Sequence, residues 1–213
     1  MHTMSFWHLL TRLGEAEILL PVALLTAAAL LLREGKRKLA LVWLALIAGA
    51  AVLTTASKIA FIGWGLGVAA INFTGISGHT MFASAIYPLL LVTLVARGAR
   101  ASFWWALGLG CAMALLIGIS RIMVGAHSWS EVLAGWLVGG AATALVFALC
   151  GTERMVLRPL VPLLLLAWVS VTPVQMPGSQ THSLVTRLAL GLSGHVVPYT
   201  RRDLLRSAEK NNS

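Results

Sequence analysis

Apolar residues in this chain come in long runs rather than in stripes. Reading from Ala16, runs over about 16–33, 39–57, 80–97, 102–119, 131–150 and 158–174 carry charge only near their ends. A helix rises about 1.5 Å per residue, so roughly 20 such residues cross the hydrocarbon core of a bilayer, and slightly shorter runs suffice where flanking side chains snorkel. The pattern predicts an all-α integral membrane bundle of about six transmembrane helices. Ahead of it, Phe6 to Leu13 reads as a short interfacial amphipathic helix, with Trp7 and His8 suited to the boundary. Between the second and third runs, Lys58 to His79 contains "GWGLG" and ends in polar residues, so it reads as an external loop, partly re-entrant. The expected organisation is an interfacial segment at 1–15, a six-helix domain at 16–174 and a basic polar tail at 175–213. The start of the chain lacks the charged opening and cleavage site of a secretory signal.

Composition agrees with the pattern. Of 213 residues, 58% are hydrophobic and 11% charged, against about a quarter charged in ordinary soluble domains. The net charge of +9 would suggest nucleic acid in a soluble protein, but here it falls mostly in short connections and reads as a topology signal, with no nucleic-acid partner expected. Arg33, Lys36, Arg37 and Lys38 fill one loop, Arg97 and Arg100 another, Arg154 and Arg158 a third. The opposite side's internal loops hold only Lys58 and Arg121. By the positive-inside rule the basic loops are cytoplasmic. The other ends then face the periplasm or exterior, in a bacterial inner membrane. Against this, the tail brings Arg187, Arg201, Arg202, Arg206 and Lys210 to the outer side if six spans are crossed. Cys111 and Cys150 lie within apolar runs, as membrane-packed thiols.

Four titratable groups at the ends of apolar runs share one side under this topology: Lys58, His79, Arg121 and His127. Such groups are costly there and mark function by default. In "TGISGHTMFASAIYP", Thr74 to Pro88, Ser77 and Gly78 stand at a helix start, where free N–H groups and the helix dipole favour an anion. His79 follows in the first turn, placed to protonate a leaving oxygen; the plainer reading makes Ser77 an N-cap and His79 an interfacial side chain. A second Ser-Gly-His, at Ser193 to His195, is followed by Pro198 and arginines instead of an apolar run, and reads as accidental.

In "SRIMVGAHSWSEVLAG", Ser120 to Gly135, His127 and Glu131 are four apart and would share a helix face. A carboxylate bonded to one ring nitrogen fixes the tautomer and makes the other nitrogen a better nucleophile or base. Arg121 offers a bidentate fork to phosphate oxygens. The competing assignment for Glu131 is the capping box "SWSE", Ser128 to Glu131, and the two roles are expected to exclude each other in part.

These two stretches resemble the second and third signature motifs of the type 2 phosphatidic acid phosphatase family: Pro-Ser-Gly-His, then Ser-Arg, five residues, His, three residues and Asp. The resemblance implies a metal-independent, cofactor-free membrane phosphatase acting on lipids that bear phosphate or diphosphate. It implies His127 as the nucleophile that forms a phosphohistidine, the carboxylate of Glu131 as its support and His79 as the acid. Lys58, Ser77, Gly78, Ser120 and Arg121 would hold the phosphate. Three departures stand out. Ile76 replaces the proline, Glu131 replaces aspartate, and Gly65-Leu66 occupy the Arg-Pro places expected seven and eight residues after Lys58. One phosphate-binding cation is therefore missing unless an arginine of the tail substitutes. The alternative reading is a phospholipid-binding or transport protein on the same scaffold, without turnover.

Overall fold

The computed structural model describes residues 2–95, 100–151 and 180–212. They form α1 (His2–Arg12), α2 (Ala16–Leu31), α3 (Arg37–Trp64), a 3-10 turn (Ala69–Ile71), α4 (Gly78–Val95), α5 (Arg100–Met123), α6 (Trp129–Cys150), α7 (Gln180–Ser193) and α8 (Arg201–Asn212). The described architecture is all-helical apart from one isolated bridge between Val68 and Phe73. Four stretches are long and apolar enough to cross a membrane: Phe6–Leu31, Arg37–Trp64, Arg100–Met123 and Trp129–Cys150, with Gly78–Leu94 a shorter apolar helix. This is a membrane protein. The expected sixth span, 158–174, lies outside the described residues.

Two features differ from the sequence reading. Lys58 is not in a loop, because α3 continues to Trp64. The run "IAFIGW" after Lys58 is apolar enough to stay helical, and one lysine near a helix end can snorkel. The helix stops at Gly65, which takes the left-handed conformation (φ 70°), while the N–H groups of Gly65 and Leu66 find the carbonyls of Phe61 and Ala60. The tail is the second difference. It forms two helices, and α7 packs on α3 through a small core of Phe61, Ile62, Val185 and Ala189.

The centre of the bundle is α4, packed on α5 and α6, while α2 and α6 both lie against α3. Small residues permit these close approaches, as expected where lipid supplies no hydrophobic drive between helices. A side chain at Gly135 of α6 would stand 2.8 Å from the Ser77 carbonyl oxygen, and one at Gly139 would overlap the Met81 carbonyl oxygen. Buried polar groups tie the helices together: Trp43 Nε1 donates to the Ala85 carbonyl (2.9 Å), Trp136 Nε1 to Ala114 (3.0 Å) and Thr143 Oγ1 to Ser84 (2.7 Å). At the basic end, Lys38 Nζ donates to the Leu149 carbonyl (2.8 Å), so the start of α3 and the end of α6 meet there. The 12–16, 64–78 and 123–129 connections lie at the other end, and all the candidate chemistry is there.

Candidate active site

Lys58 sits on the last two turns of α3. The loop that follows is folded back on it: the Ile76 N–H donates to Ser57 Oγ (3.0 Å), and Gly75 (φ 140°) lies flat against Lys58, where a Cβ would be 3.1 Å from Lys58 Cγ. This brings the start of α4 beside the lysine. A methyl on Gly78 would lie 3.7 Å from Lys58 Nζ. Ser77 and Thr80 are fully buried and bonded through their hydroxyls (2.9 Å). The Ser77 N–H is not free for an anion; it donates to the Glu131 carbonyl (3.1 Å) and joins α4 to α6. His79, two residues on, experiences the charges of Arg121 and Lys58, and its Cβ lies against Gly14 at the junction of α1 and α2.

From α5 comes Arg121. Its Nη1 donates to Thr11 Oγ1 of α1 (2.9 Å), while its Nε is buried without a partner among the described residues. A buried guanidinium N–H left unsatisfied is costly, and an anion would satisfy it. Ser120 does not contribute its hydroxyl proton, because Oγ donates to the Ile117 carbonyl one turn back (2.6 Å). After α5 the chain turns sharply: Gly125 is left-handed (φ 70°), and the N–H groups of Ala126 and His127 both donate to the Arg121 carbonyl (3.0 and 3.2 Å). Arg121 and His127 are thereby fixed relative to each other by backbone.

Glu131 is the hub. Its side chain is fully buried, and Oε2 accepts from His127 Nδ1 (2.7 Å) and from the Ser128 N–H (3.1 Å). The capping box is complete, with the Glu131 N–H reaching Ser128 Oγ. The expected conflict between capping and orienting His127 does not arise. A carboxylate has about four acceptor sites, and one oxygen serves both donors. Nor do the two residues meet on a helix face. His127 precedes the N-cap Ser128, and Glu131, in the first turn, reaches back to it. Oε1 accepts from the Thr74 N–H (2.8 Å) and from Thr74 Oγ1. Arg201, at the start of α8, places Nη2 2.8 Å from both carboxylate oxygens.

The sequence reading missed Thr11, Thr74 and Arg201. Thr74 had a signal, since it opens the Ser-Gly-His stretch; nothing local marks the other two. The missing cation is also resolved in an unexpected way. Gly65, at the place where the resemblance leads one to expect arginine, has the Tyr199 ring over it, and a Cβ there would lie 3.0 Å from Tyr199 Cδ1. A tail arginine does arrive, but it pairs with the carboxylate. The second Ser-Gly-His ends α7 instead of opening a helix, and His195 Nδ1 donates to the Gly63 carbonyl (2.6 Å) as a tether for the tail.

Burial holds the His127 imidazole below its ordinary pKa; the bond to Glu131 opposes this, and the charges of Lys58 and Arg121 add to it. At neutral pH the ring is therefore mainly uncharged. With Nδ1 donated to Glu131, Nε2 carries the free lone pair.

The fold and site define a helical membrane protein with two histidines, a buried carboxylate and three cations gathered at one end of the bundle. Residues 70–155 match the PAP2 superfamily. A similar chain is an uncharacterized 22.5 kDa protein in the cps region of Klebsiella pneumoniae, 34% identical over 95% of this chain and 99% of its own length. No solved structure matches. The chain belongs to the PAP2 superfamily, whose members are phosphatases.

Proposed function

We propose that this protein is a membrane-embedded phosphatase that hydrolyses phosphate or diphosphate monoesters of lipids through a phosphohistidine on His127, at the periplasmic or outer end of the bundle. The observation that carries the reading is the 2.7 Å bond from His127 Nδ1 to a fully buried Glu131, in a site that also contains Lys58, His79 and Arg121. Nε2 attacks phosphorus, the bond to the leaving oxygen breaks, and His79 supplies the proton that the leaving alcohol or phosphate takes. Glu131 stabilises the cationic ring in that step. Water then attacks phosphorus and passes a proton to His79, the P–N bond breaks, and inorganic phosphate leaves with both His127 and His79 restored. Lys58 and Arg121 oppose the charge of the transferred group throughout, and the unpaired Arg121 Nε is a ready donor. Gly78 lets an oxygen approach close to Lys58. Ser77 and Ser120 act in this scheme by shaping the backbone around the site. A lipid fits because the site lies at the ends of apolar helices, where a headgroup is in reach while its chains remain in the bilayer.

The test is phosphate release from phosphatidic acid and from a polyprenyl diphosphate by detergent-solubilised protein in EDTA. Turnover is expected to continue with the chelator present, since side-chain cations supply the positive charge. Loss on chelation that Mg²⁺ or Zn²⁺ restores would contradict the scheme, and saturable binding without release would favour the lipid-binding alternative.

The pH profile is a second check. Protonation removes the nucleophile, and the lowered pKa means that protonation requires more acid than for a free imidazole. The acid limb of kcat/KM, which reports the free enzyme, should therefore lie below 6.5, the ordinary imidazole value. A limb above that value would contradict an uncharged, buried His127.

A further inference from the structure

The tail is folded onto the bundle in a way that ends at the catalytic carboxylate. Three anchors lead there. The α7 helix is packed on α3, His195 Nδ1 is bonded to the Gly63 carbonyl, and the Tyr199 N–H donates to the Ile62 carbonyl (3.0 Å) while its ring covers Gly65. Thr200 then caps α8: its N–H and its hydroxyl both donate to Asp203 Oδ2 (2.9 and 2.6 Å). The next residue is Arg201. Its Nη1 donates to the Asn72 carbonyl (3.3 Å) and to Asn72 Oδ1 (2.9 Å), and its Nη2 to both oxygens of Glu131. A guanidinium held at both terminal nitrogens cannot swing toward a phosphate without giving up these bonds.

We infer that Arg201 is a positioning residue that completes the active site from the C-terminal segment, locking Glu131 in the rotamer that serves His127. This rests on the phosphatase reading for its kinetic consequences, and on geometry alone for the carboxylate–imidazole coupling. The physical need is plain. A glutamate side chain has three torsions, so a carboxylate that must face one imidazole has to be held from the other side. Thr74 does so with two neutral donors, and Arg201 does so with a charged guanidinium whose Nη2 meets both oxygens while Nη1 is fixed on Asn72. Arg201 also offsets part of the negative charge that Glu131 presents to the ring. Its removal should loosen the carboxylate; because Ser128 and Thr74 still keep it beside the ring with its charge no longer offset, the imidazole should become more basic.

The test compares Arg201→Ala, Arg201→Lys and the exposed control Arg202→Ala in full-length protein, each also in a Glu131→Gln background. In Arg201→Ala, kcat should fall by about tenfold or more, the range for losing a charge-assisted contact, with KM within about threefold of wild type. Arg201→Lys should recover part of the loss, and Arg202→Ala should be unaffected. In the Glu131→Gln background, removing Arg201 should cost little more, because residues acting through one another are not additive. Independently of turnover, NMR titration of the His127 ring should show its pKa moving up in Arg201→Ala. A rise in KM alone would make Arg201 a phosphate ligand and overturn the inference, as would an unchanged His127 titration or full additivity with Glu131→Gln. If wild type releases no phosphate, the titration still decides the role of Arg201 while the phosphatase reading fails separately. If Arg201→Ala does not fold, the Lys variant carries the same comparisons: it has no second nitrogen to hold Asn72 while the first meets Glu131, so wild-type kcat and titration in it would overturn the inference.

Discussion

Replacing His127 by alanine is expected to lower phosphate release by about four orders of magnitude or more, the scale seen when a nucleophile is removed from a preorganised site. That is roughly 5 kcal/mol of transition-state stabilisation at 1.36 kcal/mol per tenfold. The fold should survive. The His127 side chain is 15% exposed and lies in the connection between α5 and α6, where backbone bonds to the Arg121 carbonyl hold the turn. The measurement is phosphate release beside a thermal unfolding curve, together with trapping of radiolabelled phosphate on wild-type protein in an acid-labile, base-stable form. Substantial release by the alanine variant, with no label on the wild type, would remove the covalent route. Direct attack of water would then be the chemistry to consider.

Glu131→Gln should be nearly as severe, with at least a tenfold to hundredfold loss expected from one buried charge-assisted bond worth about 1.5–3 kcal/mol. The geometry explains why the amide cannot compromise. All the groups facing the carboxylate are donors: His127 Nδ1, the Ser128 N–H, both donors of Thr74 and the Arg201 fork. In one orientation the glutamine NH₂ faces Thr74; in the other it faces Ser128 and His127 and favours the wrong imidazole tautomer. Either way Arg201 meets one NH₂. Stability should fall as well, so the kinetic readings belong at a temperature where the variant is folded. Near-normal kcat in a folded Glu131→Gln variant would sink the relay. Glu131→Asp separates reach from charge. It keeps the negative charge but is one methylene shorter, so it should retain His127 or the Thr74–Arg201 pair with full geometry, and show intermediate activity.

Much of this is legible in the sequence. Long uncharged runs can do little in water except leave it, and five of the six expected spans coincide with helices; the sixth lies outside the described residues. The placement of Lys58, His79, Arg121 and His127 at one end follows from connectivity, since successive helices alternate direction. The spacing of His127 and Glu131 predicts a pairing on a shared helix face; it forms instead because the residue before the N-cap and the first helical turn lie within one side chain's reach. These are local relations, and local geometry is carried by short stretches of sequence.

What the sequence could not supply depends on segments far apart in the chain. Thr74 reaches Glu131 across 57 residues and Arg201 across 70, and no periodicity encodes such meetings. The helical character of the tail was hidden because its composition is polar; its docking rests on the small core of Phe61, Ile62, Val185 and Ala189 and on a glycine that leaves room for Tyr199. Whether Ser77 offered its N–H to an anion or to another helix was likewise decided by packing. Gly135 lets α6 approach so closely that the Glu131 carbonyl accepts the hydrogen bond from the Ser77 N–H. The sequence determined which residues stand at the end of which helix, because that follows from chain length and polarity. The tertiary structure alone decided which donors surround the carboxylate, because a buried charge is satisfied by whatever the packed chain brings within about 3 Å of it.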